Sequence, residues 1–254
     1  TEGRVEFDTG QVKNKEIPNA LLTQMIFQDP FSSLNPRKRV IDIITEAPLY
    51  HKLITKSEKR AFAAEMLQRV GLDPDTLERY PHQFSGGQRQ RVGIARALAV
   101  SPEFLVCDES IAALDVSIQA QIINLFVELK DKYDLTYLFI SHDIGVIEHI
   151  SDRVIVMYLG RIVETAPIKT FVKQPNHPYT QALLEGVPRL EVGKRQYEPI
   201  SGEIPSPLSP PTGCHFHPRC KSATARCERE KPALREIAPA HFSACHLNDE
   251  TQSL

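Results

Sequence analysis

The chain has 254 residues, of which 41% are hydrophobic, and this is enough for one α/β domain with a core and an appendage. The net charge is −2, and charged residues, 24% of the total, are spread along the sequence without a basic block that would bind nucleic acid. No apolar run approaches the roughly 18 to 20 residues that span a bilayer. Nucleic acid is therefore excluded as the expected primary partner, and any membrane association is expected to go through another protein.

A short strand is predicted near the start of the chain, followed by a long helical region. Residues 24–28 form an apolar run with a glutamine at each end, and Asp29-Pro30 stops it. Between residues 37 and 100 apolar side chains recur at helical spacing, and Gly71 closes one amphipathic stretch. At least two helices are therefore expected between this strand and the next one.

Two further apolar runs predict buried parallel strands. Residues 104–107 lead into Asp108-Glu109, and residues 136–140 lead towards His142, with a helical segment between the two runs. Continuous apolar runs joined through a helix favour a βαβ crossover. Open α/β sheets bind ligands outside the carboxyl ends of their strands, so Asp108, Glu109 and His142 are expected on one rim.

The last third of the chain is predicted to differ in character. Residues 153–164 resemble a hairpin that turns at Leu159-Gly160, and residues 204–213 are rich in proline. We expect the proline-rich stretch to separate the body of the protein from a cysteine-rich tail, with a domain boundary near residues 190–205.

Ser85-Gly86-Gly87-Gln88 is the strongest local signal for ligand binding. Exposed N–H groups at a helix N-terminus, which glycine leaves approachable, form a site for an anion such as phosphate. A bare Ser-Gly-Gly is far more often an ordinary glycine turn in which the serine caps the helix. The acidic motif that follows in the sequence favours the phosphate interpretation here.

Asp108 and Glu109 have the chemistry for phosphoryl transfer. A carboxylate at a strand end can hold Mg²⁺, and an adjacent one can orient or deprotonate a water that attacks a phosphoryl group. His142 would add a hydrogen-bonding imidazole on the same rim. Taken singly, the acidic pair is commonly a solvated strand end, and a lone histidine is more often structural than catalytic.

Taken together, in this order and spacing, the motifs resemble those of ABC ATPases. The glutamine loop, signature motif, Walker B motif, D-loop and histidine loop of that family are matched by Gln28, Ser85-Gly86-Gly87-Gln88, Asp108-Glu109, Leu114-Asp115 and Ser141-His142-Asp143. The resemblance covers residues 1–245. Residues 28–37 and 177–180 are similar to the oligopeptide and dipeptide importer branch of the family.

This resemblance implies a fold class and a domain organisation. The fold would be α/β, a P-loop-NTPase-like ABC ATPase core that carries a helical subdomain and is incomplete at the N-terminus. The partial ATPase domain would span residues 1–190, with the helical subdomain at residues 37–100. Residues 191–254 would form a proline-rich linker and a cysteine-rich C-terminal extension.

The family also implies roles for individual residues. Asp108 would bind the Mg²⁺ of ATP, Glu109 would polarise the attacking water, and His142 would contact the γ-phosphate. Gln28 would sense the metal and the γ-phosphate beside the permease. Nucleotide would be contacted across a dimer interface by the signature and D-loop residues, Ser85, Gly86, Gly87, Gln88 and Asp115.

An ATPase of this kind is expected to energise transport together with other subunits. The resemblance implies a second ABC ATPase subunit, identical or different, two membrane permeases that dock on the helical subdomain, and an extracytoplasmic peptide-binding protein. It places the chain peripherally on the cytoplasmic face of a bacterial or archaeal membrane. Oligopeptides or dipeptides are the expected cargo, with nickel, glutathione and glycopeptides left open.

The sequence departs from the family pattern in two places. No Gly-x-x-x-x-Gly-Lys-[Ser/Thr] motif occurs, and residues 2–5 resemble the stretch that follows this motif in relatives. We therefore expect the phosphate-gripping loop to lie upstream, some apolar surface to be uncovered, and the chain by itself to hydrolyse little ATP. Ser110-Ile111-Ala112-Ala113 also stands where the D-loop usually has Pro-Thr-Ser-Ala.

Two other functions stay open at this point. A truncated, non-catalytic partner could supply the signature motif to a competent subunit without holding productive ATP itself. A soluble ABC ATPase of DNA repair or translation is the third candidate, although the single cassette, Asn35-Pro36-Arg37 and the tail argue against it.

Four of the five cysteines, Cys214, Cys220, Cys227 and Cys245, lie in the tail. That segment is too poor in apolar residues to build a core, and a reducing cytosol favours metal ligation over disulfides. Four thiolates could hold zinc or an iron–sulfur cluster, and their spacing does not choose between the two. The tail resembles the C-terminal region of peptide-importer ATPases, some of which carry a four-iron four-sulfur cluster, and this favours the cluster. Cys107, in an apolar strand, is predicted to be a core residue.

Overall fold

The computed structural model describes residues 19–187 and 200–249, which fall into two compact units, residues 1–142 and 143–254. The stretch at residues 2–5 that resembles the family sequence lies outside the described residues. The predicted domain boundary at residues 190–205 lies within the second unit and partly outside the described residues, so it stays a prediction. The same holds for the predicted limits of the helical subdomain.

The first unit alternates strands and helices as the sequence pattern predicts. Its described strands are β1 (Thr23–Ile26), β2 (Phe104–Asp108) and β3 (Thr136–Ile140). Its described α-helices are α1 (Asn19–Leu22), α2 (Val40–Tyr50), α3 (Lys59–Arg69), α4 (Gly86–Leu98) and α5 (Val116–Tyr133). Short 3₁₀ turns at Pro74–Thr76 and Pro81–Gln83 connect α3 to α4.

The three strands form a parallel sheet in the order β1-β2-β3, which confirms the predicted βαβ crossover. Ile26 lies beside Cys107, and Cys107 lies beside Phe139. Because parallel strands run in the same direction, the residues that follow them, including Gln28 and Glu109, emerge at the same edge of the sheet.

One face of this sheet packs against α5. Phe126 of α5 is fully buried, and its ring meets those of Tyr137 and Phe139 edge to face, with centroids 5.6 and 5.7 Å apart. Cys107 is also fully buried, and burial raises the pKa of its thiol to about 12, which confirms its prediction as a core residue. The opposite face carries exposed apolar side chains, including Leu138.

The helical region between β1 and β2 has a core of its own. Helices α2, α3 and α4 pack against one another around Ile44, Leu67 and Ile94, all of which are fully buried. Helix α3 ends before Gly71, whose φ of +69° is in the left-handed region, so the glycine closes the helix as the sequence predicts. Leu34, from the loop after β1, is buried as well.

The second unit is built on an antiparallel sheet in the order β4-β5-β7-β6. The strands are β4 (Arg153–Tyr158), β5 (Arg161–Pro167), β6 (Arg235–Ala238) and β7 (His241–Ser243). The described helices are α6 (Ile144–Ile150), α7 (Ile168–Lys173), α8 (Pro178–Glu185) and α9 (Ala225–Arg229). Strands β4 and β5 pair across the turn at Leu159-Gly160, which confirms the predicted hairpin.

The tail packs against the core of the second unit, whose other buried residues come mostly from β4, β5, α7 and α8. Phe216 is only 2% exposed, and its ring lies 5.2 Å from that of Tyr158 and 5.3 Å from that of Tyr179. Strand β7 pairs with β5 of the hairpin. One buried aromatic ring and one strand therefore join the tail to the core of the second unit.

Over the described parts of the chain, every helix is too short or too polar to cross a membrane.

Candidate functional site

Gln28, Glu109 and His142 meet at the carboxyl edge of the parallel sheet. The Gln28 side-chain amide donates to Glu109 Oε2 at 2.6 Å, and His142 Nδ1 lies 3.2 Å from Glu109 Oε1. Residues far apart in sequence thus contact the two oxygens of one carboxylate. The prediction that Glu109 and His142 share a rim is confirmed, and Gln28 lies there too.

The backbone of Glu109 is fixed on both sides of the turn that follows β2. Its N–H donates to the carbonyl of Ile140 in β3 at 3.0 Å, and its carbonyl accepts from Ala112 at 3.0 Å. Glu109 has a φ of +45°, which is uncommon outside glycine and costs conformational energy. The strand pairing therefore holds the carboxylate in an orientation that a free loop would rarely adopt.

Asp108 is the last residue of β2 and lies beside Ile140 in the sheet. Both Asp108 and Glu109 are half-buried, so their carboxylates remain accessible from solvent. Adjacent carboxylates of this kind can bind a hard cation and a water molecule, which is the chemistry expected of the site.

The signature residues begin helix α4. Ser85 Oγ accepts from the Gln88 N–H at 3.3 Å, and the Gln88 side chain accepts from the Ser85 N–H at 3.0 Å. This is a reciprocal capping box, so Ser85 is an N-cap. Its contact with a phosphate stays a prediction. In the described residues, no hydrogen bond joins Ser85 or Gln88 to Glu109.

Of the two signature glycines, Gly87 is the one that packing requires. A Cβ at Gly87 would lie 2.5 Å from Cγ2 of Ile118 in α5, and one at Gly86 would lie 3.5 Å from Leu114. Gly87 thus permits the close approach of α4 and α5. Ile118 was not predicted as a contact of Gly87, because in the sequence it is only one isoleucine near the start of an amphipathic helix.

The unusual D-loop is held by α5. Ile111 is buried, and its carbonyl accepts from the side-chain amide of Gln119 at 3.0 Å. The Gln119 N–H also donates to the carbonyl of Asp115, the exposed residue that precedes α5. An apolar anchor and one amide therefore fix this loop, and the nucleotide contact expected of Asp115 stays a prediction.

The four tail cysteines line one cavity of about 110 Å³ in the second unit. Burial raises the pKa of the Cys214 and Cys220 thiols, and that of Cys245 to about 11, so these thiols are uncharged at neutral pH. Over residues 19–187 and 200–249, no three His, Cys, Asp or Glu side chains are grouped closely enough to hold a metal ion. The predicted iron–sulfur or zinc site is therefore not preformed.

A buried carboxylate that the sequence analysis missed lies in the same unit. Glu164 of β5 is fully buried and accepts from the backbone N–H groups of Asn176 and His177 at 2.9 and 2.8 Å, and from His241 Nε2 at 2.7 Å. Burial lowers the pKa of His177 to about 4, and its neutral Nδ1 caps helix α8 by accepting from Tyr179. A charged residue inside an apolar strand was the signal for this network.

Comparison with known families and proteins identifies the family to which this fold belongs. Residues 1–112 match the family model described as ABC transporter, and residues 163–227 match that described as oligopeptide/dipeptide transporter, C-terminal region. Over 255 residues the chain is 50% identical to the oligopeptide transport ATP-binding protein AppF of Bacillus subtilis, covering 97% of this chain and 78% of that protein. The chain belongs to the ABC transporter ATP-binding family.

Other relatives support the same family assignment. The chain is 51% identical over 223 residues to the putative peptide import ATP-binding protein BOV_A0347 of Brucella ovis, covering 87% of this chain and 70% of that protein. Among solved structures it is similar to CbiO1 of Clostridium perfringens, part of the ABC transporter complex CbiONQ, with a TM-score of 0.55 and 28% identity. That match covers 61% of this chain and 60% of CbiO1, and it confirms the predicted ABC ATPase fold.

Gly87→Ala is expected to lower the free energy of unfolding by about 1–3 kcal/mol, because the new methyl group overlaps Ile118 Cγ2. Urea denaturation followed by circular dichroism measures the change. The double variant Gly87→Ala/Ile118→Ala removes the overlapping atom and should recover part of the loss.

Gly93→Ala, in the same helix, is the matched control. A Cβ at Gly93 meets no atom within 4 Å, so this variant should keep or raise stability through the higher helix propensity of alanine. A Gly87→Ala protein as stable as the Gly93→Ala protein would show that α4 and α5 do not pack this closely.

Proposed function

We propose that the chain is the energy-coupling subunit of an importer for oligopeptides or dipeptides, and that it couples ATP hydrolysis to peptide uptake. The observation that carries the proposal is the convergence of Gln28 and His142 on the two oxygens of Glu109. The printed names of the AppF and Brucella relatives support the peptide cargo. A soluble ABC ATPase of DNA repair or translation is disfavoured by the oligopeptide/dipeptide match at residues 163–227.

Glu109 is the proposed catalytic carboxylate, which polarises the water that attacks the γ-phosphoryl group of ATP. The Gln28 amide holds one carboxylate oxygen and leaves the other facing His142, which would contact the γ-phosphate. Asp108 is the residue that would hold the Mg²⁺ of ATP, and this ion would supply positive charge against the phosphates. The acceleration of ATP hydrolysis would come from positioning the water against the γ-phosphate, because phosphoryl transfer leaves little covalent chemistry to the protein.

The exposure of this trio supports a dimeric mechanism. Gln28 is exposed, and the His142 side chain is 73% exposed, so an isolated subunit leaves the reacting groups in water. A second ATPase subunit that presents its own Ser85–Gln88 segment and Asp115 would cover the site and complete it electrostatically. Both homodimer and heterodimer satisfy this requirement.

The helical region is the proposed docking surface for the membrane permeases. Tyr50 and Phe31 are 81% and 62% exposed, so both rings are accessible to another subunit. Two permeases bound there would hold the chain on the cytoplasmic face of the membrane, and an extracytoplasmic peptide-binding protein would deliver the cargo to them.

A partner role without catalysis is the second candidate. The capping box at Ser85 and the packing of Gly87 form without a Gly-x-x-x-x-Gly-Lys motif in this sequence, so the signature helix could serve another subunit's nucleotide. The two candidates differ in one property, which is whether Glu109 of this chain is needed for turnover.

The tail cysteines are the proposed ligands of a four-iron four-sulfur cluster, with zinc as the alternative. The donor set fits either group in kind and number, since Cys214, Cys220, Cys227 and Cys245 line one cavity. Because the thiols are not grouped in advance, binding requires side-chain rotation and loss of their protons.

Glu109→Gln is expected to lower the kcat for ATP about 10²- to 10⁴-fold in the complex assembled with a second ATPase subunit and permeases. KM should change little, because the amide has the size of the carboxylate but cannot accept a proton. Phosphate release and peptide uptake by vesicles are the measurements.

Glu103→Gln is the matched control, since it makes the same change next to the other end of β2, at an exposed residue. It should leave kcat and KM unchanged. Full activity of the Glu109→Gln complex would remove Glu109 from the chemistry and favour the partner role.

The 254-residue chain by itself is expected to bind Mg²⁺ and a fluorescent ATP analogue only weakly, because it has no backbone cradle and lysine for the β- and γ-phosphates. Fluorescence titration measures the affinity. Tight binding that Asp108→Asn abolishes would show that the site works without this loop.

The chain purified without oxygen is expected to contain about four iron and four sulfide ions per molecule. Cys214→Ser should lose most of them, whereas Cys107→Ala, at the buried cysteine of β2, should keep them all. Elemental analysis and visible absorption measure the content. One zinc per chain would select the alternative, and metal-free protein would contradict both.

A further inference from the structure

Two arginines of α4 hold the loop that follows Gln28. The Arg89 guanidinium lies over the ring of Phe31, 3.8 Å from its centroid. Arg96 donates to the carbonyl of Ser33 at 2.5 Å. The two arginines are seven residues apart, so they project from the same side of the helix. This side of α4 is thus bound to the loop at two points.

The loop itself is a compact turn. Asp29 Oδ1 accepts from the Phe31 N–H at 2.7 Å, and the Asp29 carbonyl accepts from the Ser33 N–H at 3.2 Å. The Phe31 hydrogen bond holds the pKa of the Asp29 carboxyl below its usual range, so it stays charged. Leu34 is buried at the far end of the turn. Because these hydrogen bonds close the turn, a displacement of Ser33 would move residues 29–33 together.

Arg96 is an unusual residue for its position. It is half-buried, in a stretch of α4 where its sequence neighbours are alanine, leucine and isoleucine, and burial lowers the pKa of its guanidinium. A charged group in such surroundings needs strong compensation. The charge-assisted bond to Ser33, together with the more distant charge of Glu46, supplies it. An apolar residue would pack here at lower cost but could not hold the loop.

The anchored loop begins directly after the residue that contacts the proposed catalytic carboxylate. Gln28 precedes Asp29, and its amide lies 2.6 Å from Glu109 Oε2. A continuous set of contacts therefore runs from α4, the helix that Ser85 caps, through Arg96 and the loop, to Glu109.

We propose that Arg96, assisted by Arg89, is a positioning residue that sets Gln28 against Glu109 by anchoring the loop to the signature helix. The inference deepens the proposed ATPase function and rests on it for its catalytic consequence. Helix α4 would then have two roles. Its first turn would present the Ser85–Gln88 segment to a partner's nucleotide, and Arg96 would anchor the loop at the chain's own site.

Arg91 provides a matched control for Arg96. It lies on the same helix, is half-buried as well, and donates to the carbonyl of Val70 at 2.6 Å. Both arginines thus make one bond to a backbone carbonyl, but Arg91 holds the end of α3 and not the loop.

Hydrogen exchange in the 254-residue chain tests the anchoring directly. Arg96→Gln should speed exchange of the amides at residues 31–35 several-fold, because the turn loses its attachment to α4. Arg91→Gln should leave these amides unchanged and speed exchange near Val70. Arg96→Lys keeps a charged donor and should recover most of the protection. Equal protection in Arg96→Gln and the unmodified chain would overturn the proposal.

Steady-state kinetics in the assembled complex test the consequence for the site. Arg96→Gln should lower kcat roughly tenfold, up to the ~100-fold that a 1 Å displacement can cost, with KM for ATP unchanged. Arg91→Gln should lose about as much stability in urea as Arg96→Gln does, but it should leave kcat unchanged. Arg96→Lys should have a kcat between those of Arg96→Gln and the unmodified chain. An equal fall in kcat for Arg91→Gln would assign the effect to stability and overturn positioning.

The two measurements separate the inference from the proposed function. A complex of the unmodified chain that hydrolyses no ATP refutes the proposed function, while hydrogen exchange still decides whether Arg96 anchors the loop. An active complex whose kcat is unaffected by Arg96→Gln refutes the inference alone.

Discussion

The candidate site depends on the parallel pairing of β1, β2 and β3. Polar residues lie at or just after the carboxyl end of each strand, and parallel pairing brings these ends to one edge. The bond from the Glu109 N–H to the Ile140 carbonyl continues the pairing into the turn and holds Glu109 in its left-handed conformation. Antiparallel pairing of β1 with β2 would place Gln28 at the opposite edge from Glu109. Gln28 and His142 can therefore reach the two oxygens of Glu109 because the three strands run in the same direction.

Helix α4 joins the other parts of the first unit to this edge. Its first turn closes with the Ser85 capping box, Gly87 lets it approach α5, and Arg96 binds the loop after β1. Because α5 in turn holds the D-loop through Gln119, the signature residues and the D-loop share one support. A rigid helix in contact with three functional segments limits their relative movement, as a preorganised active site requires.

Patterns within a segment were enough to predict the strands, the helix ends and the hairpin. Apolar runs mark β2 and β3, and Gly71 marks the end of α3, because strand burial and helix termination depend on neighbouring residues. The Gly87–Ile118 and Arg96–Ser33 contacts could not be predicted, since they join residues 31 and 63 positions apart. The packing of the tail could not be predicted for a related reason. Counting its apolar residues could not show that Phe216 packs between rings of the hairpin and α8.

The way the tail is held bears on what a metal could do there. Phe216, the pairing of β7 with β5, and the bond from His241 to the fully buried Glu164 already join the tail to its unit. Metal binding in small cysteine-rich domains usually supplies the folding energy, because the metal-free chain has no core. In this tail the packing of Phe216 and the pairing of β7 with β5 contribute to folding as well. A metal held by the proposed thiol ligands would therefore be one of several interactions that fix the tail, at a cavity lined by residues of the same unit.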